Sequence, residues 1–211
     1  MRLNSTTILP DGKIPKRCAF GIPDAEEHLK LGDNNNPQLS WSGIPAEAKS
    51  LVLLCVDPDV PSSMDDFNQE GRTISIDLPR VDFFHWVMTD IRPEDGGVIE
   101  GECSKDITTG GKINPPGPPG SRQGINDYTG FMAGDPEMKG DYFGYDGPCP
   151  PWNDERLHRY HFILYATDLE TCPVDGTFTG ADVRQAIEGH ILDEARLTGT
   201  YSLNPAINSP D

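Results

Sequence analysis

The chain has 211 residues, with 34 Asp and Glu against 17 Lys and Arg and a formal net charge of −17. That length fits one domain with a sizeable core, and that charge argues against nucleic acid and against anionic membrane surfaces as partners. Glycine (22) and proline (20) are plentiful, which beside strong apolar strands points to an all-β domain with long, stiff loops rather than to disorder.

A first strand-like piece is expected at Thr6-Thr7-Ile8-Leu9, and the polar stretch from Asp24 ends in the turn composition Asp33-Asn34-Asn35-Asn36-Pro37. Leu39-Ser40-Trp41-Ser42 then alternates apolar and polar residues. Ser50-Leu51-Val52-Leu53-Leu54-Cys55-Val56 is apolar on both faces and reads as the central strand. Its predicted end is Asp57-Pro58-Asp59-Val60-Pro61, where prolines stop ladder pairing, with the Asp57 and Asp59 carboxylates projecting the same way.

Residues 62–80 read as an excursion from the core with a short alternation at Thr73–Ile76. Phe83–Ile91 is the next core strand, and His85 within it faces either the core or a pocket. Arg92 to Phe143 shows little periodicity and much glycine and proline, a length uncommon for a loop inside a compact domain.

Tyr145-Asp146-Gly147-Pro148-Cys149-Pro150-Pro151 combines a permissive glycine with three prolines, so it is stiff before any ligand docks. It leads through His158 and Arg159 into the aromatic, β-branched run Tyr160–Tyr165, a buried strand. Residues i and i+2 of a strand share a face, so His158 and Tyr160 point together and His161 points away.

Thr179 is the expected N-cap of a helix with Asp182 at N3, packing through Val183, Ala186, Ile187 and Ile191. Gly199–Ser202 closes as a short strand before a loose tail to Asp211. With no internal repeat or sharp boundary, residues 1–211 are expected to form one domain.

No run approaches the ~20 apolar residues of a membrane span, and no secretory signal opens the sequence. The five cysteines are odd in number and form no C-x-x-C pair. A disulfide framework or zinc knuckle is therefore not expected, and a reducing, cytoplasmic location is.

Several ordered motifs carry a resemblance: Leu39-Ser40-Trp41, Val56-Asp57-Pro58-Asp59-Val60-Pro61, His85-Trp86-Val87, Gly147-Pro148-Cys149-Pro150-Pro151 and His158-Arg159-Tyr160, with Ile187-Glu188-Gly189-His190 and Gly199-Thr200-Tyr201 towards the end. Across nearly the whole chain this pattern resembles the phosphatidylethanolamine-binding protein (PEBP) family, especially its prokaryotic Raf-kinase-inhibitor-like (YbhB/YbcL-type) branch. The resemblance implies a mainly β fold, an antiparallel Greek-key domain with peripheral helices including one near the C-terminus. It also implies a small pocket for a phosphate-type head group, lined by Asp57, Asp59, Pro61, His85, Gly147, Cys149, Pro150, His158 and Tyr160.

On this reading the protein is not an enzyme and carries no cofactor and no metal. Its partner is an anionic small molecule or phospholipid head group, and the family implies a homodimer and a regulatory or inhibitory role towards another enzyme. His85, His158 and Tyr160 would donate to the anion, with one aspartate orienting each imidazole.

Two other chemistries remain open on the residues alone. One is hydrolysis using Asp57 with Asp59, or Cys149 with His158. The other is a metal held by Asp57, Asp59, His85 and His158. Three segments exceed the family's short prokaryotic pattern: residues 62–82, 112–120 and 130–142, the last placed to narrow the pocket.

Overall fold

The computed structural model describes residues 1–10 and 12–207. Eleven strands run in chain order: β1 (Arg2–Asn4), β2 (Gly12–Lys13), β3 (Gly21–Asp24), β4 (His28–Leu31), β5 (Leu39–Ser42), β6 (Ser50–Pro61), β7 (Arg80–Ile91), β8 (Gly96–Val98), β9 (Arg122–Gln123), β10 (His158–Thr167) and β11 (Ile191–Tyr201). Two short α-helices, α1 (Tyr128–Phe131) and α2 (Gly180–Ala186), and two 3-10 turns at Lys16–Cys18 and Met132–Gly134 complete the set among the described residues.

The apolar run of β6 explains the layering. Alternate side chains leave opposite faces of a strand: Leu51, Leu53 and Cys55 join one buried cluster, while Val52, Leu54 and Val56 join another. β6 is therefore covered on both sides. It lies inside a six-stranded sheet of order β2-β11-β10-β6-β7-β9. On one face, Leu3, Leu39, Trp41 and Val98 from the small sheet β1-β5-β8 complete the first cluster. On the other, Val183 and Ile187 at α2, with Cys172, Val174 and Phe178, cover the second. The fold is mainly β and antiparallel, apart from the short parallel pair β11–β2.

Several sequence expectations are corrected. Thr6–Leu9 is not a strand, because the Ser5 hydroxyl accepts the Thr7 and Ile8 N–H groups that a ladder would need. β6 does not stop at Asp57. It continues to Pro61, with Asp57 opposite Phe83 and Val60 opposite Val81, so three steps on β6 match two on β7. Such a bulge absorbs the prolines without ending the pairing.

α2 has the expected capping box between Thr179 and Asp182, but it ends at Ala186, with Ile187 as its C-cap. Gly189, at φ 80°, turns the chain, and Ile191 becomes the exposed first residue of β11 rather than part of the helical stripe. β11 pairs with β10 from Ile191 through Tyr201, far more than the short closing strand expected. The tail is tied at its start: Leu203 is buried, and Asn204 Nδ2 donates to the Asp154 carbonyl. The remainder of the expected loose tail, residues 208–211, lies outside the described residues.

Candidate functional site

A second irregularity on β7 builds the site. Cys55 pairs with Trp86 and Val56 with Phe84, leaving His85 as an extra residue. Bulges re-aim side chains, and this one brings His85 to a cavity of about 570 Å³. Asp57 reaches the same cavity from β6, and His158 and Tyr160 reach it from β10. The cavity thus opens where two bulged strands and the start of β10 meet.

His158 lies buried between two carboxylates. Its Nδ1 is 2.7 Å from Asp57 Oδ2 and its Nε2 is 3.1 Å from Asp154 Oδ2. Arg80 in turn donates to both oxygens of Asp154. Burial alone would push the His158 pKa down, but Asp57 and Asp154 outweigh it and hold the ring protonated, with a pKa of about 9. Asp154 is kept below the usual carboxylate range: burial opposes this, and His158 and Arg80 overcome it. The result is a neutralised row, Arg80–Asp154–His158–Asp57.

His85 is the opposite case. Burial pushes its pKa down more strongly than Asp57 and Asp146 push it up. Its Nδ1 lies 2.8 Å from the Asp146 carbonyl oxygen, which can only accept, so Nδ1 carries the hydrogen. Asp146 N–H donates back to the His85 carbonyl.

Tyr160 packs edge-on against the His85 ring, with centroids 5.1 Å apart. Its hydroxyl is buried beside Asp57 and makes no hydrogen bond of ordinary geometry within the protein. Burial and then Asp57 raise its pKa well above 10, so it remains a neutral donor.

The walls are apolar. Val60, Pro61, Val81, Phe83, Ile125 and Pro150 line them, and Met64, Phe67 and Phe131 stand at the rim. Among the described residues, no lysine or arginine lines the cavity.

A sequence model of the family described as "Phosphatidylethanolamine-binding protein" matches residues 4–202. The chain belongs to this family. A "UPF0098 protein" from Methanothermobacter thermautotrophicus is 36% identical over 201 residues, covering 95% of this chain and 98% of that one. The Escherichia coli UPF0098 protein YbhB is 28% identical over 204 residues, covering 96% and 100%. Among solved structures, E. coli YbcL, described as a member of the mammalian PEBP family, superposes with a TM-score of 0.67 at 24% identity, covering 95% of this chain and 97% of YbcL. A putative PEBP homologue from Chlamydia trachomatis gives 0.62 at 28% identity, covering 95% and 96%.

Of the nine residues expected at the pocket, seven line the cavity: Asp57, Pro61, His85, Cys149, Pro150, His158 and Tyr160. Asp59 does not. The bulge turns it away from Asp57, and it pairs with Arg159 and Arg156. Burial would raise its pKa, but Arg159 and Arg156 hold it at about 2. The expected pairing of one aspartate with each histidine is therefore replaced by two aspartates on His158 and a backbone carbonyl on His85.

Gly147 also stays outside. Its N–H donates to Asn34 Oδ1, and a Cβ there would come within 2.1 Å of the Cys18 carbonyl oxygen. Its glycine identity serves close chain packing.

Sequence reasoning missed Asp154, Asp146, Asn126 and Tyr128. Asp146 is the hub that fixes the pocket loop: its carboxylate accepts from Asn34, Asn126 and Lys112. Lys112 comes from the 112–120 segment, so that segment braces the loop from behind. The other two long segments do reach the cavity, through Met64, Phe67 and Val81 and through Gly130 and Phe131. Of the missed residues, Asp154 alone left a sequence signal, standing four residues before His158.

Proposed function

We propose that this chain is a non-catalytic binding protein whose cavity takes the phosphate-type head group of a small molecule or lipid. The observation that carries this reading is the Tyr160 hydroxyl, a buried donor that makes no well-formed hydrogen bond within the protein, on a side chain that lines the cavity beside Asp57. A buried polar group left unpaired costs about 1–3 kcal/mol, and an anionic ligand oxygen would satisfy it. The apolar walls suit the organic part of such a ligand, and family membership supports binding as the task.

The side chains on hand do not favour catalysis. Both His158 nitrogens face carboxylates, so the ring has no lone pair with which to act as a base. Burial pushes the Cys149 thiol up to about 12, which leaves almost no thiolate at neutral pH. With Asp59 taken by arginines, the set of carboxylates and imidazoles that could have converged on a metal is broken up. Among the described residues no group of three or more His, Cys, Asp and Glu side chains is arranged to hold an ion.

A thermal-shift titration with inorganic phosphate, phosphoethanolamine and a neutral diol tests the reading. Ligands that bind only the native state raise the melting temperature by mass action. A rise with both phosphates but not with the diol, lost in Tyr160→Phe, is expected. No rise at millimolar phosphate in the wild type would overturn it.

A further inference from the structure

The polar groups at the cavity floor mostly accept hydrogen bonds, which is unusual for a site meant to hold an anion. Asp57 is a carboxylate, and Asp127 stands at the wall with its Oδ2 accepting the Phe84 N–H. The His158 imidazolium is already shared between Asp57 and Asp154, so it has no N–H to offer a ligand. His85 donates through Nδ1 to the Asp146 carbonyl, while Nε2, on the ring that lines the cavity, has no protein partner and is not sealed off. In the neutral ring that nitrogen is a lone pair. The Tyr160 hydroxyl is a neutral donor without a well-formed partner, and Thr129, further along the wall, is a second neutral hydroxyl, accepting the Tyr142 N–H.

A phosphate oxygen placed against a lone pair and beside a carboxylate is repelled unless a hydrogen lies between them. We propose that the cavity takes a phosphomonoester-type anion together with one proton, held between His85 Nε2 and a ligand oxygen, so that head-group binding is coupled to proton uptake. The inference rests on the head-group reading above. It adds the protonation state in which that head group is held.

His85 is the place the geometry favours for the proton: burial also raises the pKa of Asp127 on the cavity wall, but the Phe84 N–H opposes that rise by holding its Oδ2. The groups facing the His85 ring are Asp57 from β6, His158 and Tyr160 from β10, Asp146 and Cys149 from the pocket loop, and Tyr128 from α1. Tyr128 already donates to the Gly147 carbonyl. Tyr160 and Cys149 keep their own protons, and His158 is charged before the ligand arrives. Burial keeps the free His85 ring neutral at physiological pH, and a bound anion reverses that balance by pairing with the imidazolium.

A phosphomonoester has a second pKa of about 6. At pH 8 neither the ligand nor His85 brings the proton, which must come from solution. Below pH 6 the ligand brings its own.

The test is calorimetric titration of methyl phosphate into wild type and His85→Gln at pH 8, in two buffers of different ionisation enthalpy. It is combined with affinity measured from pH 5 to 9. The wild type is expected to take up about one proton per ligand, with affinity falling about tenfold per pH unit above pH 7. His85→Gln, whose amide donates without titrating, is expected to bind at pH 8 with no uptake and with an affinity that changes little above pH 7, where the ligand is almost fully ionised.

Nitrogen NMR of the histidine rings provides a reading that does not depend on the variant folding: Nε2 of His85 should change from unprotonated to protonated on saturation. Wild-type binding without proton uptake, an Nε2 that stays unprotonated in the complex, or uptake that persists in His85→Gln each overturns the proposal while leaving head-group binding intact. No binding of methyl phosphate at any pH overturns the head-group reading along with it.

Discussion

Tyr160 and His158 sit two residues apart on one face of β10, and their polar atoms are in opposite conditions. The Tyr160 hydroxyl is buried without a well-formed partner, whereas every ring nitrogen of His158 is engaged. Removing the hydroxyl should therefore help the empty protein. Tyr160→Phe is expected to keep or raise the ligand-free melting temperature, by up to about 1–3 kcal/mol of stability, while losing the phosphate-dependent rise. A hydroxyl with a purely structural role would give the reverse, a lower melting temperature and an unchanged ligand response.

For His158 the native pKa of about 9 lies above the ordinary 6.5. Its protonation therefore stabilises the fold fully below pH 6.5, and that contribution is lost as pH rises towards 9. Urea unfolding should show stability falling by about 2 kcal/mol between pH 6.5 and 8.5. A flat profile would mean that the ring is neutral in the native state. Asp59 runs the other way: held at about 2 against 3.8, it stabilises above pH 3.8, and the contribution is lost as pH falls through 2.

At the scale of elements, the strands that the sequence revealed were those with enough apolar residues to state their own burial. β6, β7 and β10 each carry a continuous run, and His158 and Tyr160 were legible as a pair because strand alternation is strict. The bulges were not legible. They arise from the mismatch between two strands, so neither strand's own sequence contains them, yet they turn Asp59 outward and aim His85 inward. The polar hub around Asp146 was hidden for a related reason. Asn34, Lys112, Asn126 and Asp146 come from four separate loops, and no local spacing in the sequence links them.

The excursion after β6 is held in the same way. Asn153 Nδ2 faces the carbonyls of Asp66, Gln69 and Arg72, while its Oδ1 accepts the Asn68 N–H. Asn68 Oδ1 then accepts from Trp152 N–H. This staple positions the segment that supplies Met64 and Phe67 to the cavity rim. Asn153→Ala is expected to cost about 2 kcal/mol and to raise amide hydrogen exchange across residues 66–72, with β10 amides little changed. Exchange in 66–72 that matched the wild type would show the excursion to be held by other contacts.

At the scale of the molecule, the charge of −17 surrounds a cavity to which, among the described residues, no lysine or arginine contributes. Positive side chains near the site are spent on aspartates: Arg80 on Asp154, and Arg156 and Arg159 on Asp59. An approaching anion thus meets a repulsive field at long range and finds its stabilising contacts only at the floor. The field is screened over about 30 Å at 0.01 M salt but about 8 Å at 0.15 M. Added salt should therefore speed the association of methyl phosphate and tighten its binding, the reverse of a site steered by basic residues. Titration at 10 and 150 mM salt, using a large monovalent anion that does not fit the cavity, checks this. Weaker binding at the higher salt would mean that a local positive potential outweighs the global charge, and would place an unneutralised cation beside the ligand.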